Sequence, residues 1–387
     1  MFKKQTTAFF LALIASFQLG FADEAEKQQA TWSVFRGNPL GTGVAAEPLK
    51  GNLKEEWTFK VPGGAFNATP VIENGVIYIG DLDGTFYALD LKTGKPKWKI
   101  SLQNNGFPAS AAVRNGLVFV GDYDGALHCL DANTGAVTWK FATDAEVSSP
   151  NFYKDSVIVA SQDSRLYSFD AATGRLNWKY AIQDQIQSSP TIVDGRAFLA
   201  GCDAKLHIID VEKGQPIASV DIGNPTGVTP AVVKDHVFFG TEGGEFFCVD
   251  WRKAKTVWTY TDPNSAQSIR SCPAATESIV VYGGRSKQLY ALNPKNGDVL
   301  WQVPSRRGID SSPVIAGNRA FVGTGDGKVL GIDLKKGDIS WQYQATGGFG
   351  GSPAVASGRL VIASDQGIVY CFVVDNAIAN AAPNKRY

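Results

Sequence analysis

The sequence predicts an all-β protein, an eight-bladed β-propeller of four-stranded antiparallel blades, from two repeating features. The first is a unit of about 40 residues, clearest over residues 69–98 with the sequence TPVIENGVIYIGDLDGTFYALDLKTGKPKW. Its opening residue, usually Ser or Thr before Pro, recurs every 39–43 residues, at Thr69, Ser110, Ser149, Ser189, Thr229, Cys272, Ser312 and Ser352. The second is a closing tryptophan, at Trp57, Trp98, Trp139, Trp178, Trp258, Trp301 and Trp341, with Ala218 where one is due. Eight such units in register can stack on their neighbours and close a ring.

Turn residues divide each unit into four short strands. The first strand crosses the Ser/Thr-Pro pair, and the second is a near-continuous apolar run such as residues 76–79, which must be covered on both faces. Asp83-Gly84 supplies the positive φ that a tight hairpin needs before the third strand, residues 86–89. Asp90 and Gly94 mark the next turn, and the fourth strand carries the tryptophan.

The last unit predicts how the ring closes. After Asp375 the sequence continues NAIANAAPNKRY, with no fourth strand. A matching strand lies at the other end of the propeller, around Trp57. We expect this N-terminal strand to complete the eighth blade beside Tyr370, because an open ring would leave an unpaired strand edge. The propeller is therefore predicted to span residues 53–375, followed by a C-terminal tail over residues 376–387.

Residues 1–22 have the pattern of a cleavable signal peptide. Lys3 and Lys4 precede an apolar stretch, and Gly20-Phe21-Ala22 fits a small-x-small cleavage site. The apolar stretch is too short to span a bilayer, and no cysteine follows the cleavage site to carry a lipid. The protein is thus predicted to be exported, periplasmic or extracellular, neither membrane-spanning nor lipid-anchored.

The lead-in, residues 23–52, stands outside the repeat. Glycines and prolines indicate irregular structure there. Trp32 and Phe35 are expected to pin the lead-in onto the propeller, and this interpretation is preferred over a ligand-binding role.

Composition argues against several partners and site types. The chain has 37 basic and 37 acidic residues, and removing Lys3 and Lys4 leaves 35 against 37, so neither nucleic acid nor an anionic membrane surface is an expected partner. The five cysteines are Cys129, Cys202, Cys248, Cys272 and Cys371. Cys129, Cys248 and Cys371 fall in blades two, five and eight, and Cys202 and Cys272 fall in blades four and six, so no disulfides are expected. His128 and His207 occupy a repeat position filled elsewhere by tyrosine, which disfavours a zinc or catalytic role. A monomer is expected.

Residues 93–98, Thr-Gly-Lys-Pro-Lys-Trp, together with Ser-Pro-Val and Asp-Gly-x-x-Tyr-Ala-Leu-Asp, resemble the repeat of pyrroloquinoline-quinone (PQQ)-type propellers. The resemblance covers residues 53–375, and the lead-in is similar to one that precedes such propellers in exported bacterial proteins. It implies one of two functions. Quinoprotein dehydrogenases bind PQQ and calcium in the axial funnel and oxidise alcohols or sugars. BamB-like proteins carry no cofactor and act as scaffolds in outer-membrane protein assembly.

The sequence favours the scaffold. Many PQQ alcohol dehydrogenases carry a disulfide between adjacent cysteines, absent here, and the even spacing leaves little chain for a walled pocket. Glu146, Asn67 and Asp310 are residue types that a calcium–quinone site needs, but they come from blades three, one and seven. We therefore expect an exported, non-catalytic propeller without a cofactor, binding a protein partner or extended peptide in the cell envelope. A small PQQ-dependent oxidoreductase with calcium is the alternative. BamB-like proteins of well-studied bacteria are lipoproteins, a feature this signal lacks.

The candidate binding residues are those before each first strand, which the repeat does not dictate. If the first strands line the axis, a mixed polar mouth is formed by Asn67, Glu146, Gln187, Arg270, Arg306, Arg307 and Asp310, flanked by Phe66, Phe107 and Phe349. This mouth is predicted to bind an extended peptide or a small anionic ligand. The alternative is a set of solvated loop residues around a water-filled channel. No catalytic residue and no metal site are predicted.

Overall fold

A computed structural model describes residues 30–102 and 106–375 and contains eight four-stranded antiparallel sheets. The predicted eight-bladed β-propeller is confirmed. The predicted signal peptide and C-terminal tail lie outside the described residues. Within the described part of the chain, the structure has no helix with the length and apolar character of a membrane span.

The strands are, in chain order, β1 Leu53–Lys60, β2 Val71–Glu73, β3 Val76–Gly80, β4 Thr85–Asp90, β5 Pro96–Ser101, β6 Ala112–Arg114, β7 Leu117–Gly121, β8 Ala126–Asp131, β9 Val137–Ala142, β10 Asn151–Tyr153, β11 Ser156–Ser161, β12 Arg165–Asp170, β13 Leu176–Ala181, β14 Thr191–Val193, β15 Arg196–Ala200 and β16 Lys205–Asp210. They continue as β17 Gln215–Asp221, β18 Ala231–Val233, β19 His236–Gly240, β20 Glu245–Asp250, β21 Lys255–Thr261, β22 Ala274–Ala275, β23 Val280–Gly284, β24 Gln288–Leu292, β25 Val299–Pro304, β26 Val314–Ala316, β27 Arg319–Gly323, β28 Lys328–Asp333, β29 Ile339–Gln344, β30 Ala354–Ala356, β31 Arg359–Ala363 and β32 Ile368–Val374. Blades 1–7 take consecutive groups of four from β2 to β29, and blade 8 is ordered β1-β32-β31-β30.

The ring closes as the sequence predicts. Strand β1 pairs antiparallel with β32 from Leu53 opposite Val374 to Lys60 opposite Ile368, with Trp57 opposite Cys371. The two ends of the propeller thus share one sheet, and no blade is left with an unfinished edge.

The repeated tryptophan joins each blade to the next. Trp178 of blade 3 donates its Nε1–H to the carbonyl of Val211 in blade 4, at 3.1 Å. Its ring lies where a Cβ of Gly214 would be, 2.5 Å away, and Gly214 has a φ of 65°. The same bond recurs from Trp57, Trp98, Trp139, Trp258, Trp301 and Trp341. In the Gly-x-x-x-Trp pattern, the tryptophan of one blade therefore packs on the glycine of the next blade.

The junction of blades 4 and 5 lacks this tryptophan and is packed by a different aromatic residue. Ala218 replaces the tryptophan of blade 4, and Trp251 of blade 5 belongs to the hydrophobic cluster that contains Ala218. The Trp251 ring is 4 % exposed, donates to the carbonyl of Lys234 at 2.9 Å, and meets Phe198 of blade 4 edge-to-face at 5.6 Å. The aromatic side chain of this junction thus comes from the following blade.

Seven hydrogen bonds link the residues that open the repeats, seven serines or threonines and Cys272, around the axis. The backbone N–H of Thr69 donates to the hydroxyl of Ser110 at 3.0 Å, and the N–H of Ser110 donates to Ser149 at 3.0 Å. Equivalent bonds link Ser189 to Thr229, Thr229 to Cys272, Cys272 to Ser312, Ser312 to Ser352 and Ser352 to Thr69. Each innermost strand is a sheet edge, so these hydroxyls and the Cys272 sulfur accept from N–H groups that the sheets leave unpaired.

All five cysteines are free thiols. Burial raises the pKa of the Cys129 and Cys248 thiols to about 12, which keeps them protonated. They serve as small buried side chains of the third strands.

Candidate functional site: the axial cavity

The lead-in closes one end of the axial channel. Its described part runs past the innermost strands of successive blades and accepts hydrogen bonds from the second residue of six of them. The donors are the N–H groups of Ile72, Val113, Ile192, Val232, Ala275 and Ile315, and the acceptors are the carbonyls of Trp32, Ser33, Pro39, Leu40, Thr42 and Gly43. Blade 3 binds through the Asn151 side chain, which donates to the Pro39 carbonyl at 3.0 Å, and blade 8 binds through the Gly358 N–H, which donates to Glu47. All eight blades therefore hold the lead-in.

Arg36 of the lead-in joins this closed end to blades 6 and 7. Its side chain is 1 % exposed and donates to three backbone carbonyls, those of Pro273, Ser312 and Pro313. Burial lowers the pKa of Arg36 to about 10, so the guanidinium stays charged at neutral pH. Trp32 is also 1 % exposed, which agrees with the expectation that this aromatic residue pins the lead-in.

The other end of the channel is open and forms a cavity of about 200 Å³. Phe35 of the lead-in lies at its closed side, and the residues that open the eight repeats line its wall. Above it is a wider pocket of about 360 Å³, lined by Glu146, Gln162, Gln187, Gly227, Glu242 and Arg270. We call the first space the throat and the second the mouth pocket. Glu146, Gln187, Gly227 and Arg270 line both, so the two are continuous.

The structure brings five of the predicted site residues together. Asn67, Glu146, Gln187, Arg270 and Asp310 all line the throat, although they come from five different blades. Their convergence follows from the closed ring, which turns the segment before each first strand toward one axis.

The predicted aromatic flank lies elsewhere, and this expectation about placement is corrected. Phe66, Phe107 and Phe349 are 1 %, 0 % and 3 % exposed and belong to the hydrophobic clusters between blades. Phe107 occupies the place where a side chain on Gly80 would be. Neighbouring residues of an extended segment point to opposite sides, so Phe66 packs between the blades while Asn67 faces the axis.

Arg306 and Arg307 are exposed but do not line the throat or the mouth pocket. Arg307 lies against Gly325, the turn of its own blade, so this pair of arginines lies at the rim of the open end.

Two ion pairs neutralise three of the charged groups that line the cavity. Arg270 donates to Glu242 at 3.0 Å, and Arg285 holds Asp310 through two bonds of 3.0 and 2.8 Å. Glu146 differs, because it forms no ion pair with any residue of the described ranges. Burial raises the pKa of the Glu146 carboxyl above its usual range, and a hydrogen bond from Gln162 opposes the shift.

Four residues that lie next to the throat residues were not predicted from the sequence. Tyr123, Gln162, Glu242 and Arg285 occupy one repeat position, in the turn between the second and third strands. Their backbone N–H groups donate to the loop that precedes the same blade, at the carbonyls of Gly106, Glu146, Pro225 and Ser268. The signal was available, because this position is as variable between repeats as the one before the first strand.

Comparison with known proteins identifies the family. The model of the family described as outer membrane protein assembly factor BamB matches residues 52–111, 100–271 and 263–377. The chain belongs to this family. The matches cover the whole propeller, so the resemblance seen in individual repeats extends to all eight blades.

Solved structures support the fold of this BamB-family propeller. BamB from Moraxella catarrhalis matches with a TM-score of 0.72 and 19 % identity, over 83 % of this chain and 99 % of that one. A europium-containing methanol dehydrogenase matches with a TM-score of 0.74 and 15 % identity, over 89 % of this chain and 98 % of that one. At these identities the likeness shows the fold alone.

One catalytic relative matches by sequence. Quinoprotein alcohol dehydrogenase PedH of Pseudomonas putida is 26 % identical over 139 residues, which is 32 % of this chain. The match spans only 23 % of the length of that enzyme.

The cavity residues of this BamB-family chain do not fit a calcium–quinone centre. Calcium takes six to eight oxygen ligands, several from carboxylates. Among the described residues there is no group of three His, Cys, Asp or Glu side chains that could hold a metal ion. Of the two carboxylates in the throat, Asp310 is already held by Arg285.

Proposed function

We propose that the protein is an exported, non-catalytic scaffold of the cell envelope that binds polypeptide at the open end of its propeller. The observation that carries the proposal is the match to the BamB family along the whole propeller. Export rests on the signal-peptide pattern of residues 1–22, with the mature protein periplasmic or extracellular.

The geometry supports binding at the open end. The lead-in covers the opposite end of the axis, where its backbone already takes up the N–H groups of the inner strands. The open end presents the exposed pair Arg306 and Arg307 and the polar walls of the mouth pocket. A partner can therefore reach the axis from this side, and the cationic rim can attract acidic segments of a chain.

The test compares two pairs of adjacent cations in blade 7. Arg306 and Arg307 lie at the open end, and Lys335 and Lys336 lie in an exposed turn at the opposite end. The mature chain is mixed with an unfolded outer-membrane β-barrel polypeptide diluted from urea, and binding is followed by fluorescence anisotropy. Arg306→Glu with Arg307→Glu should weaken binding at least tenfold, and Lys335→Glu with Lys336→Glu should change it less than twofold. Equal effects of the two double variants would contradict the proposal.

The second candidate function, a small PQQ-dependent oxidoreductase, is favoured by the sequence match to PedH. Since a ligand that binds the folded state raises its melting temperature, PQQ with calcium provides a direct test. The scaffold proposal expects no shift of the melting temperature and no dye reduction with alcohols. A rise of several degrees together with alcohol-dependent turnover would establish the second function instead.

A further inference from the structure

Glu146 is the one charged side chain of the mouth pocket without a charged partner in the described ranges. Arg270 and Glu242, the other two charged groups of that pocket, are paired with each other. In the throat below, Asp310 is paired with Arg285. The cavity therefore carries one uncompensated negative charge. This charge favours a cation over the small anionic ligand that the sequence allows.

Gln162 lies next to Glu146. Its N–H donates to the Glu146 carbonyl at 2.9 Å, and its side chain is near enough to the carboxylate to oppose the rise of the Glu146 pKa. The carboxylate has no charged partner in the described ranges, which leaves lone pairs for a ligand. A half-buried carboxylate without a counter-charge is unfavourable, and binding a cation would remove that penalty.

The neighbouring acceptor is on the next blade. Gln187 is exposed to the cavity, and its side-chain oxygen lies beside Gly227, where a Cβ would be 3.0 Å from it. A side chain at position 227 would crowd the Gln187 amide, so the glycine keeps this part of the pocket open. Glu146 and Gln187 both line the mouth pocket and so offer oxygen acceptors to the same space.

We infer that the mouth pocket binds a primary ammonium group, the lysine side chain of an extended polypeptide, with Glu146 as its counter-charge and Gln187 as a second acceptor. An ammonium is a compact charge with three donors that can satisfy acceptors arriving from different directions, whereas the planar guanidinium of arginine favours one carboxylate in its own plane. The narrow throat below leaves room for the end of a side chain and not for a folded domain. This inference rests on the proposed role in polypeptide binding.

The pH dependence has a defined sign. Since burial raises the pKa of Glu146, lysine binding should weaken on acidification at a higher pH than an exposed glutamate would dictate. The titratable and charged groups that face Glu146 are Tyr123, whose phenol pKa is raised by burial and by Glu146 itself, and the Arg270–Glu242 pair. The Tyr123 phenol stays neutral over this range because its pKa is raised.

The experiment uses the mature chain and four short peptides, with binding measured by ligand-observed NMR titration. The probes are acetyl-Gly-Lys-Gly-amide, the same peptide with an acetylated lysine side chain, acetyl-Gly-Arg-Gly-amide, and Gly-Gly-Gly-amide with a free N-terminus. The lysine peptide should bind at least tenfold more tightly than its acetylated form. The free N-terminus tests the other source of a primary ammonium, and the arginine peptide tests preference for the compact head. Equal binding of the lysine and acetylated peptides, or no detectable binding of the lysine peptide, overturns the inference.

Three variants locate the site. Glu146→Gln should reduce lysine-peptide affinity at least tenfold, and Gln187→Glu, which adds a second carboxylate, should raise it several-fold. Glu277→Gln removes a comparable acid on an exposed hairpin at the closed end and should leave affinity within twofold. The melting temperature of each variant shows that it folds. Unchanged affinity in Glu146→Gln contradicts the assignment, and loss of affinity in Glu277→Gln would show a non-specific charge effect.

The unfolded-polypeptide assay run on the same variants separates this inference from the proposed function. If the polypeptide binds but Glu146→Gln has no effect on it or on the lysine peptide, the scaffold stands and the ammonium pocket is wrong. If the lysine peptide binds through Glu146 and the polypeptide does not bind, the pocket stands as a small-ligand site and the scaffold proposal is wrong.

Discussion

The two ends of the axial channel are built from the same eight inner strands, but their polar groups are paired in different environments, buried at one end and exposed at the other. At the closed end, the lead-in accepts hydrogen bonds from the N–H groups of successive strands. Arg36, which is 1 % exposed, donates to three backbone carbonyls there. At the open end, Arg270 and Arg285 form ion pairs with carboxylates at 50 % and 41 % side-chain exposure. Buried hydrogen bonds contribute to stability, whereas exposed ion pairs contribute little. The difference indicates that the closed end serves the fold and leaves the open end available for binding.

This contrast can be tested most strongly at Arg36. Arg36→Ala should lower the free energy of unfolding by about 3 kcal/mol, because it leaves the carbonyls of Pro273, Ser312 and Pro313 buried without donors. Differential scanning calorimetry would show the loss as a lower melting temperature. Arg307→Ala, at the exposed rim, is the matched control and should change stability by less than about 0.5 kcal/mol. Similar losses in both variants would mean that the two ends do not differ in the way described.

A smaller effect is expected at Gly43, which shares the closed end with Arg36. Gly43 has a φ of 63°, and an added Cβ would overlap the Arg36 guanidinium. Gly43→Ala should therefore destabilise by about 2 kcal/mol, combining backbone strain with displacement of the arginine. Gly116 has a φ of 75° but open space around it, so Gly116→Ala should cost about 1 kcal/mol from strain alone. Chemical denaturation of the two variants gives the difference, and an equal loss would show that the lead-in is loosely packed.

The smallest effect is expected for the ion pair at the open end. Arg285→Ala removes both bonds to Asp310, but the two side chains are 41 % and 38 % exposed. The stability loss should stay below about 1 kcal/mol and shrink further in high salt. Thermal melts at low and high ionic strength measure it. A salt-independent loss above about 2 kcal/mol would place structural stability at the end that we assign to binding.

Much of the fold could be predicted because the repeat records local rules. Asp-Gly turns, the opening Ser/Thr and the closing tryptophan recur at fixed spacing, and the absence of a last strand in the eighth unit pointed directly to β1. The site was predicted in part. Asn67, Glu146, Gln187, Arg270 and Asp310 converge on the throat, but Phe66, Phe107 and Phe349 are buried between the blades and do not line it.

The sequence by itself determined the number of blades, their strand order, the closure of the ring and five of the residues that line the throat. Each of these follows from spacing along the chain, which the repeat states eight times. The tertiary structure alone decided the path of the lead-in beneath the channel, the replacement of the missing tryptophan by Trp251, and the partners of Arg270 and Arg285. Those features join residues that are distant in sequence and occur once. No periodic pattern encodes them, and so the net charge of the cavity became visible only when Glu146 was found without a counter-ion among the described residues.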